Sequence, residues 1–309
     1  IAMTEHNTGE WQADINAIHI GHEAEFRFFA VDKNGTMTNE NGANRIIDMP
    51  HMQMGDMVVF ELPEADVDIP CPEPNIIYAS IANLRCADSF GVGDFGDLAS
   101  FISNVARKAS ASVVRITPTN DTQSTNTAAD ASPHSIISVY ALHPLLCDIR
   151  QLPTIEDACE QQHMEALRHQ LNALPYNDYL ATLEAKLDYI HIAFVQEGDH
   201  IMHSAAFKQW FAANEYWLVP YAQYSYLREA YNQPNFRIWP NHNEWTEAER
   251  GQLQNPRTKA YKKLAFYYYV QYILHTQLCR VHTIARDNGI VLMGDLTAII
   301  NPNGCDVWQ

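Results

Sequence analysis

The sequence predicts an α/β protein with a small all-β portion in front, and three observations carry that prediction. An apolar run, Ile76 to Ile81, is followed by a helical period and then by a second β-branched run at Val113, Val114 and Ile116, which is the order of a parallel strand-helix-strand unit. A third apolar run, Ile290 to Met293, follows a long helical stretch, so the order recurs late in the chain. Before residue 62 the apolar positions alternate instead, over Trp11 to Ile15 and Glu25 to Val31, as half-buried strands require. At this level a barrel and a doubly wound sheet are both open.

Residues 1–62 read as antiparallel strands, with Lys33-Asn34-Gly35 as a hairpin turn and Met57 to Leu62 as a closing strand. Together they make part of a β-sandwich. Residues 63–75, PEADVDIPCPEPN, hold four prolines and four acidic residues, a stiff linker that sets the domain boundary. Residues 76–309 then form the main domain. In LRCADSFGVGDFGDL the glycines at 91, 93 and 96 have neither dinucleotide-loop nor Walker spacing. The segment is predicted to be a βα loop ending in Asp94 as N-cap, because Phe95, Leu98, Phe101, Ile102 and Val105 repeat at three and four residues.

Between about 154 and 255 the chain holds more helix than two neighbouring strands need, which predicts an inserted helical subdomain. Its helices are expected over Ala158 to Leu174, Tyr179 to Val195 and Lys208 to Tyr231. The aromatic series Trp210, Phe211, Tyr216, Trp217, Tyr221, Tyr224 and Tyr226 is read as core, with a sugar-stacking surface as the alternative. A long helix from Ala265 is stopped by Asn288-Gly289.

A hydrophobic content of 47% over 309 residues suffices for a packed core. The net charge of −17 argues against nucleic acid and against an anionic membrane surface. The six cysteines, at 71, 86, 147, 159, 279 and 305, form no CxxC pair, so they are read as buried or inert thiols in a reducing compartment and no metal site is expected. No apolar run reaches the roughly 18 residues of a membrane span, and the expected location is cytoplasmic. The first residue is Ile1 and both ends fall inside unfinished structures, which predicts a fragment of a longer protein.

The ligand is expected after the second apolar run. From Thr119 to Ser135 the chain carries only Asn, Asp, Thr, Ser, Gln, Ala, Pro and His. Such a stretch is not expected to bury itself, so it is read as a surface loop whose polar groups hold something polar. It follows directly on a predicted strand, where α/β folds collect their ligands. Asp295, at the carboxyl end of the third run, is expected to point into the same cleft, with an aspartate capping backbone amides as the alternative.

Five separated segments in order then carry a resemblance: LRCADSFGVGDFGDL; ITPTNDTQSTNTAADASPHSIISVYALHPL; YWLVPYAQYSYLRE with FRIWP; FYYYVQYILHTQL with GIVLMGDL; and GCDVWQ. They resemble the 4-α-glucanotransferases of glycoside hydrolase family 77, the amylomaltase or disproportionating-enzyme family, in its long form with starch-binding modules in front. The resemblance implies an incomplete (β/α)8 TIM barrel with an inserted helical subdomain. It implies transfer of 1,4-α-glucan segments to acceptor sugars by a retaining double displacement. The substrates would be α-1,4-glucans and malto-oligosaccharides, and no metal or organic cofactor is required. The family's two catalytic carboxylates come from later strands, so no catalytic residue is assigned here, and an Arg-x-Asp and a Glu are expected past Gln309. Substrate-binding positions implied by the resemblance are Asp130, Pro133, His134 and Asp295.

The front portion, EFRFFAVDKNGTMTNENGANR, resembles the C-terminal half of a family 20 starch-binding module. That likeness implies sugar contacts at Arg27 and Asn44. This chain departs from the usual pattern at Asn39, where tryptophan is common, at Ser132 and His134, where tyrosines are common, and at Ala131, Met293 and Thr297. Lost rings weaken stacking. A non-catalytic glucan-binding or vestigial fragment, and a family 13 α-glucan hydrolase, are the alternative readings.

Overall fold

The structure is a computed structural model. It describes residues 1–7, 10–15, 22–31, 35–51, 53, 57–62, 64–67, 74–109, 111–246, 248, 251, 253–255, 257–297 and 300–309. The chain divides into two compact units, Ile1–Glu73 and Pro74–Gln309.

In the first unit the described strands form three separate antiparallel pairs. β1 (Thr4–Asn7) pairs with β2 (Glu10–Gln12), β3 (Glu23–Phe26) with β6 (Arg45–Asp48), and β4 (Phe29–Val31) with β5 (Met37–Asn39). Each pair is a two-stranded ladder, which differs from the expected sandwich of two packed sheets. The strand expected from Glu25 to Val31 breaks at Arg27 and Phe28, and its two halves join different partners. Met57 to Leu62 forms no strand. Its residues are exposed and no ladder takes them, so their backbone groups remain available to water. Lys33 and Asn34, the predicted turn, and most of the linker lie outside the described residues.

The second unit is built on a parallel sheet of three strands, β7 (Ile76–Ala79), β8 (Val113–Ile116) and β9 (Val291–Gly294), with β8 in the centre. Its register pairs Ile77 with Val114 and Val114 with Leu292. Residues 77, 79, 114, 116 and 292 point to one face, as a period of two dictates. That face packs on helix α1 (Phe95–Lys108) and the later helix α5 (Lys259–Asp287; helices numbered in chain order). Phe95, Leu98 and Ile102 are fully buried there, each contributing roughly 1.5–3 kcal/mol.

The opposite face of the sheet is open. Ile76, Tyr78, Val291 and Met293 are exposed on it, so β7 and β9 alternate and do not read as strands covered on both sides. In a closed barrel that face is filled by layers of side chains from the other strands. Among the described residues no further strand pairs with β7 or β9.

The βα loop after β7 follows the sequence. Asp94 caps α1, accepting from the amides of Gly96 and Asp97, and Asp97 reciprocates on the amide of Asp94, a capping box. Its glycines serve packing. Gly91 has φ +74°, and a Cβ on Gly93 would stand 2.1 Å from the carbonyl oxygen of Ile81.

The helices α2 (Ala158–Asn172), α3 (Tyr179–His203) and α4 (Ala205–Tyr231) occupy the predicted insertion. They do not make a core of their own. Leu171 of α2 and Tyr189, Ile190 and Ala193 of α3 join the cluster under the sheet. Trp217, Tyr221 and Tyr224 of α4 join Phe236, Trp239, Tyr268, Cys305 and Trp308 in a second, aromatic core. The aromatic series is therefore chiefly core, as read. Of the five described cysteines, Cys147 and Cys305 are buried while Cys86, Cys159 and Cys279 are exposed, so the burial half of the buried-or-inert reading holds for two of them. The exposed three lie on the polar faces of a loop and two helices, which their sequence spacing does not reveal. No described helix is long and apolar enough to cross a membrane.

Candidate functional site

The segment after β8 turns on its own hydrogen bonds. Asp130 is 5% exposed, and its Oδ2 accepts from the amides of Ser124 (3.1 Å), Thr125 (2.9 Å) and Asn126 (2.8 Å). Its Oδ1 accepts from the Thr125 hydroxyl at 2.9 Å. Asp121, Thr122, Gln123 and Ser124 are buried as well. The expectation that this polar stretch cannot bury itself is thus corrected: carboxylates placed inside a turn satisfy its amides, which removes the cost of burying them.

The carboxylate of Asp130 is therefore engaged by its own loop. Pro133 is half-buried, and Ser132 and His134 are exposed beside it. Replacing Asp130 by alanine leaves three amides without an acceptor, a local cost of about 1–3 kcal/mol. Hydrogen exchange is expected to accelerate at Ser124, Thr125 and Asn126 while α1 keeps its protection. Unchanged exchange at these three amides would show that the carboxylate is dispensable to the loop.

The loop returns beside its origin and is pinned there. The amide of Asp121 donates to Ala141 O at 2.8 Å. The side-chain amide of Gln271 on α5 bonds both the N–H and the C=O of Leu142 at 2.8 Å, as a strand partner would. His143 is buried. The Leu145 amide donates to its Nδ1 at 3.1 Å, so Nε2 holds the proton and donates to the Tyr179 hydroxyl at 3.0 Å. Burial also lowers the His143 pKa, which keeps the ring neutral in this role.

Behind the loop the Tyr221 hydroxyl donates to Asp121 Oδ2 at 2.7 Å. Arg228 is 4% exposed, and its Nε and Nη1 have no hydrogen-bond partner. It borders a cavity of about 40 Å³ lined also by Asp121, Gln123, Ser225 and Glu229, which is room for ordered water.

Asp295 follows β9 at the carboxyl end of the sheet. Its Oδ1 accepts from Arg115 Nε at 2.6 Å. Arg115 is the exposed member of β8, between Val114 and Ile116 that face the helices. The pair therefore lies on the open face, away from the helical layer, and the loops after β8 and β9 are joined to each other by hydrogen bonds. Asn301 N donates to Ile136 O at 2.9 Å, and Val139 N donates to Asp306 Oδ2 at 2.7 Å.

Arg115, His143, Arg228 and Gln271 were not among the expected site residues, and Asp121 lay in the expected polar loop without being singled out. Only Arg115 had a signal, a cation inside an apolar strand run. In the first unit, Arg27 donates to Gly42 O and Asn44 donates to Glu25 Oε1 at 2.9 Å; the first side chain is held by the bend at Gly42 and the second by strand β3. Among the described residues no cluster of three His, Cys, Asp or Glu side chains is arranged to hold a metal ion.

Residues 79–309 match the family profile of 4-alpha-glucanotransferase. The chain belongs to that family. It is similar to the 4-alpha-glucanotransferase of Oryza sativa subsp. japonica, with 29% identity over 263 residues that cover 79% of this chain and 28% of the relative. It is also similar to that of Chlamydia pneumoniae, with 28% identity over 234 residues, or 75% of this chain and 42% of the relative. The chain thus spans less than half the length of the relatives it matches.

Two solved structures share the fold of the family. The amylomaltase from Streptococcus agalactiae, in complex with acarbose, superposes with a TM-score of 0.62 at 16% identity, over 77% of this chain and 46% of that one. The amylomaltase from Corynebacterium glutamicum gives 0.57 at 17% identity, over 94% and 44%. The segments that converge on the aromatic core, with Trp239 and Trp308 rings 6.0 Å apart, are those through which the sequence resembles the glucanotransferases.

Proposed function

We propose that the protein is a 4-α-glucanotransferase that passes segments of 1,4-α-glucans to acceptor sugars, and that this chain forms one wall of its sugar cleft. The observation that carries the reading is the Arg115–Asp295 pair on the open face of the parallel sheet, at the carboxyl strand ends where barrel enzymes place their sites. The loop that follows β8 at the same carboxyl end has its shape fixed by Asp121, Asp130 and His143. In this reading Asp295 orients the sugar and supplies negative charge near the developing oxocarbenium centre. Asp130 acts by holding the loop, and Pro133 with His134 forms its exposed lip.

A retaining transfer needs two carboxylates about 5 Å apart, one attacking the anomeric carbon and one acting as acid and then base. Neither is assigned within residues 1–309. Transfer in place of hydrolysis follows when a sugar hydroxyl is held where it attacks the glycosyl-enzyme. The protein built to the length of its relatives is expected to convert maltotriose into glucose and longer oligomers, and residues 1–309 alone are expected to do neither. Glucose and maltose without longer products would favour a family 13 hydrolase. Disproportionation by the 309 residues would overturn the placement of the carboxylates.

A further inference from the structure

We infer that Tyr140 and Tyr216 form a platform on which a glucose ring of an α-glucan chain stacks, a contact that rests on the glucanotransferase reading and adds a binding position to it. The aromatic series of α4 packs inward with one exception. Trp217, Tyr221 and Tyr224 are buried, and Trp210, Phe211 and Tyr226 pack against the same core. Tyr216 is 62% exposed, and Tyr140, arriving from the loop after β8, is 46% exposed beside it.

The two rings are not loose. Their centroids are 5.5 Å apart at 84°, an edge-on contact, and Tyr140 stacks on the buried Trp217 with centroids 5.7 Å apart and planes 19° from parallel. Tyr140 sits two residues before Leu142, whose backbone is clamped by Gln271. Such a pair is ordered before any ligand arrives, so little side-chain freedom is lost on binding.

The chemistry of the patch selects the occupant. Two phenol rings present apolar faces for the C–H face of a pyranose and hydroxyls for its oxygens. The chain carries a net charge of −17, which disfavours anionic ligands and is indifferent to a neutral sugar. Two partly exposed tyrosines offer on the order of 200 Å², far below the roughly 800 Å² per partner of a stable protein interface. A single sugar ring is of the right size.

The test measures maltoheptaose binding by calorimetry to the unaltered protein, to Tyr216→Ala and to Tyr216→Phe. Stacking of one aromatic ring corresponds to about a three- to tenfold change in affinity. Tyr216→Ala is expected to weaken binding by about that factor, with an unchanged melting temperature because the side chain is exposed. Tyr216→Phe keeps the ring and is expected to retain most of the affinity. Saturation transfer from tyrosine ring protons to maltoheptaose is expected in the unaltered protein and diminished in Tyr216→Ala. If maltoheptaose binds the unaltered protein and both variants with equal affinity, the platform is wrong while the glucanotransferase reading stands. If no α-glucan binds or reacts with the unaltered protein, both fall together.

Discussion

Lys186→Met is expected to lower the stability of the second unit by roughly 3–5 kcal/mol, the cost of removing one partner from a buried ion pair. Lys186 lies on α3 and is completely buried. Its Nζ donates to the carbonyls of Leu145 and Cys147 at 2.9 Å each and reaches Asp94 Oδ2 at 3.4 Å. One side chain thus ties an inserted helix to the N-cap of α1 and to the segment that follows the β8 loop. Methionine fills the volume but leaves two carbonyls and Asp94 Oδ2 without their donor, while Asp94 Oδ1 keeps Arg150 and the two capped amides.

The deficit has a predicted pH dependence. Burial pushes Asp94 up to about 6, against the pull of Lys186. A carboxyl raised in the folded state contributes stability that is complete below its unfolded pKa and is lost as pH rises through the folded value. Without Lys186 the carboxyl rises further, so the variant should lose more stability relative to the parent at pH 7 than at pH 5. Adding Asp94→Asn removes the charge while keeping a capping side chain, and is expected to recover part of the loss. Chemical denaturation at the two pH values checks this. A loss of less than about 1 kcal/mol, the size of an exposed pair, would show that the Lys186 contacts are incidental.

The second large effect is on turnover. Asp295→Asn, in the protein built to full length, is expected to lower kcat at least about tenfold, roughly 1.4 kcal/mol of transition-state stabilisation. The melting temperature should barely move. Arg115 is half exposed and Asp295 partly so, and pairs of that kind contribute about 0–1 kcal/mol to stability. Asparagine keeps the size and one acceptor oxygen, so the change isolates charge. Arg115→Met is expected to act in the same direction, because Arg115 Nε fixes the carboxylate at 2.6 Å. Steady-state kinetics on maltotriose beside a thermal melt reads both quantities. A preserved kcat with a melting temperature lowered by many degrees would make Asp295 a structural residue.

Periodicity alone determined much of the second unit. The apolar runs at Ile76, Val113 and Ile290 became β7, β8 and β9, because strands and helices impose different repeats on the residues they bury. Asp94 was legible as a cap because its side chain acts on amides two and three residues away, a local event. The family was legible in the ordered segments from LRCADSFGVGDFGDL to GCDVWQ.

Contacts between distant residues were not legible. Nothing near Asp130 in sequence distinguishes a carboxylate that binds sugar from one that accepts its own loop's amides, and the choice depended on how the chain turned at Asn126, where φ is +55°. Lys186 sits on a helix whose sequence gives no cue that a cation is buried; α3 buries it because Asp94, about ninety residues earlier, and the carbonyls of Leu145 and Cys147 stand against it. Gln271 became the partner of Leu142 across 129 residues. In the first unit the apolar alternation called for strands but did not choose their partners, since two short strands satisfy the same pattern as a sandwich. Sequence fixes which residues seek burial. Only the tertiary structure decides which distant group meets them, because a buried charge or amide is stable only where a complementary atom has been brought within hydrogen-bond distance.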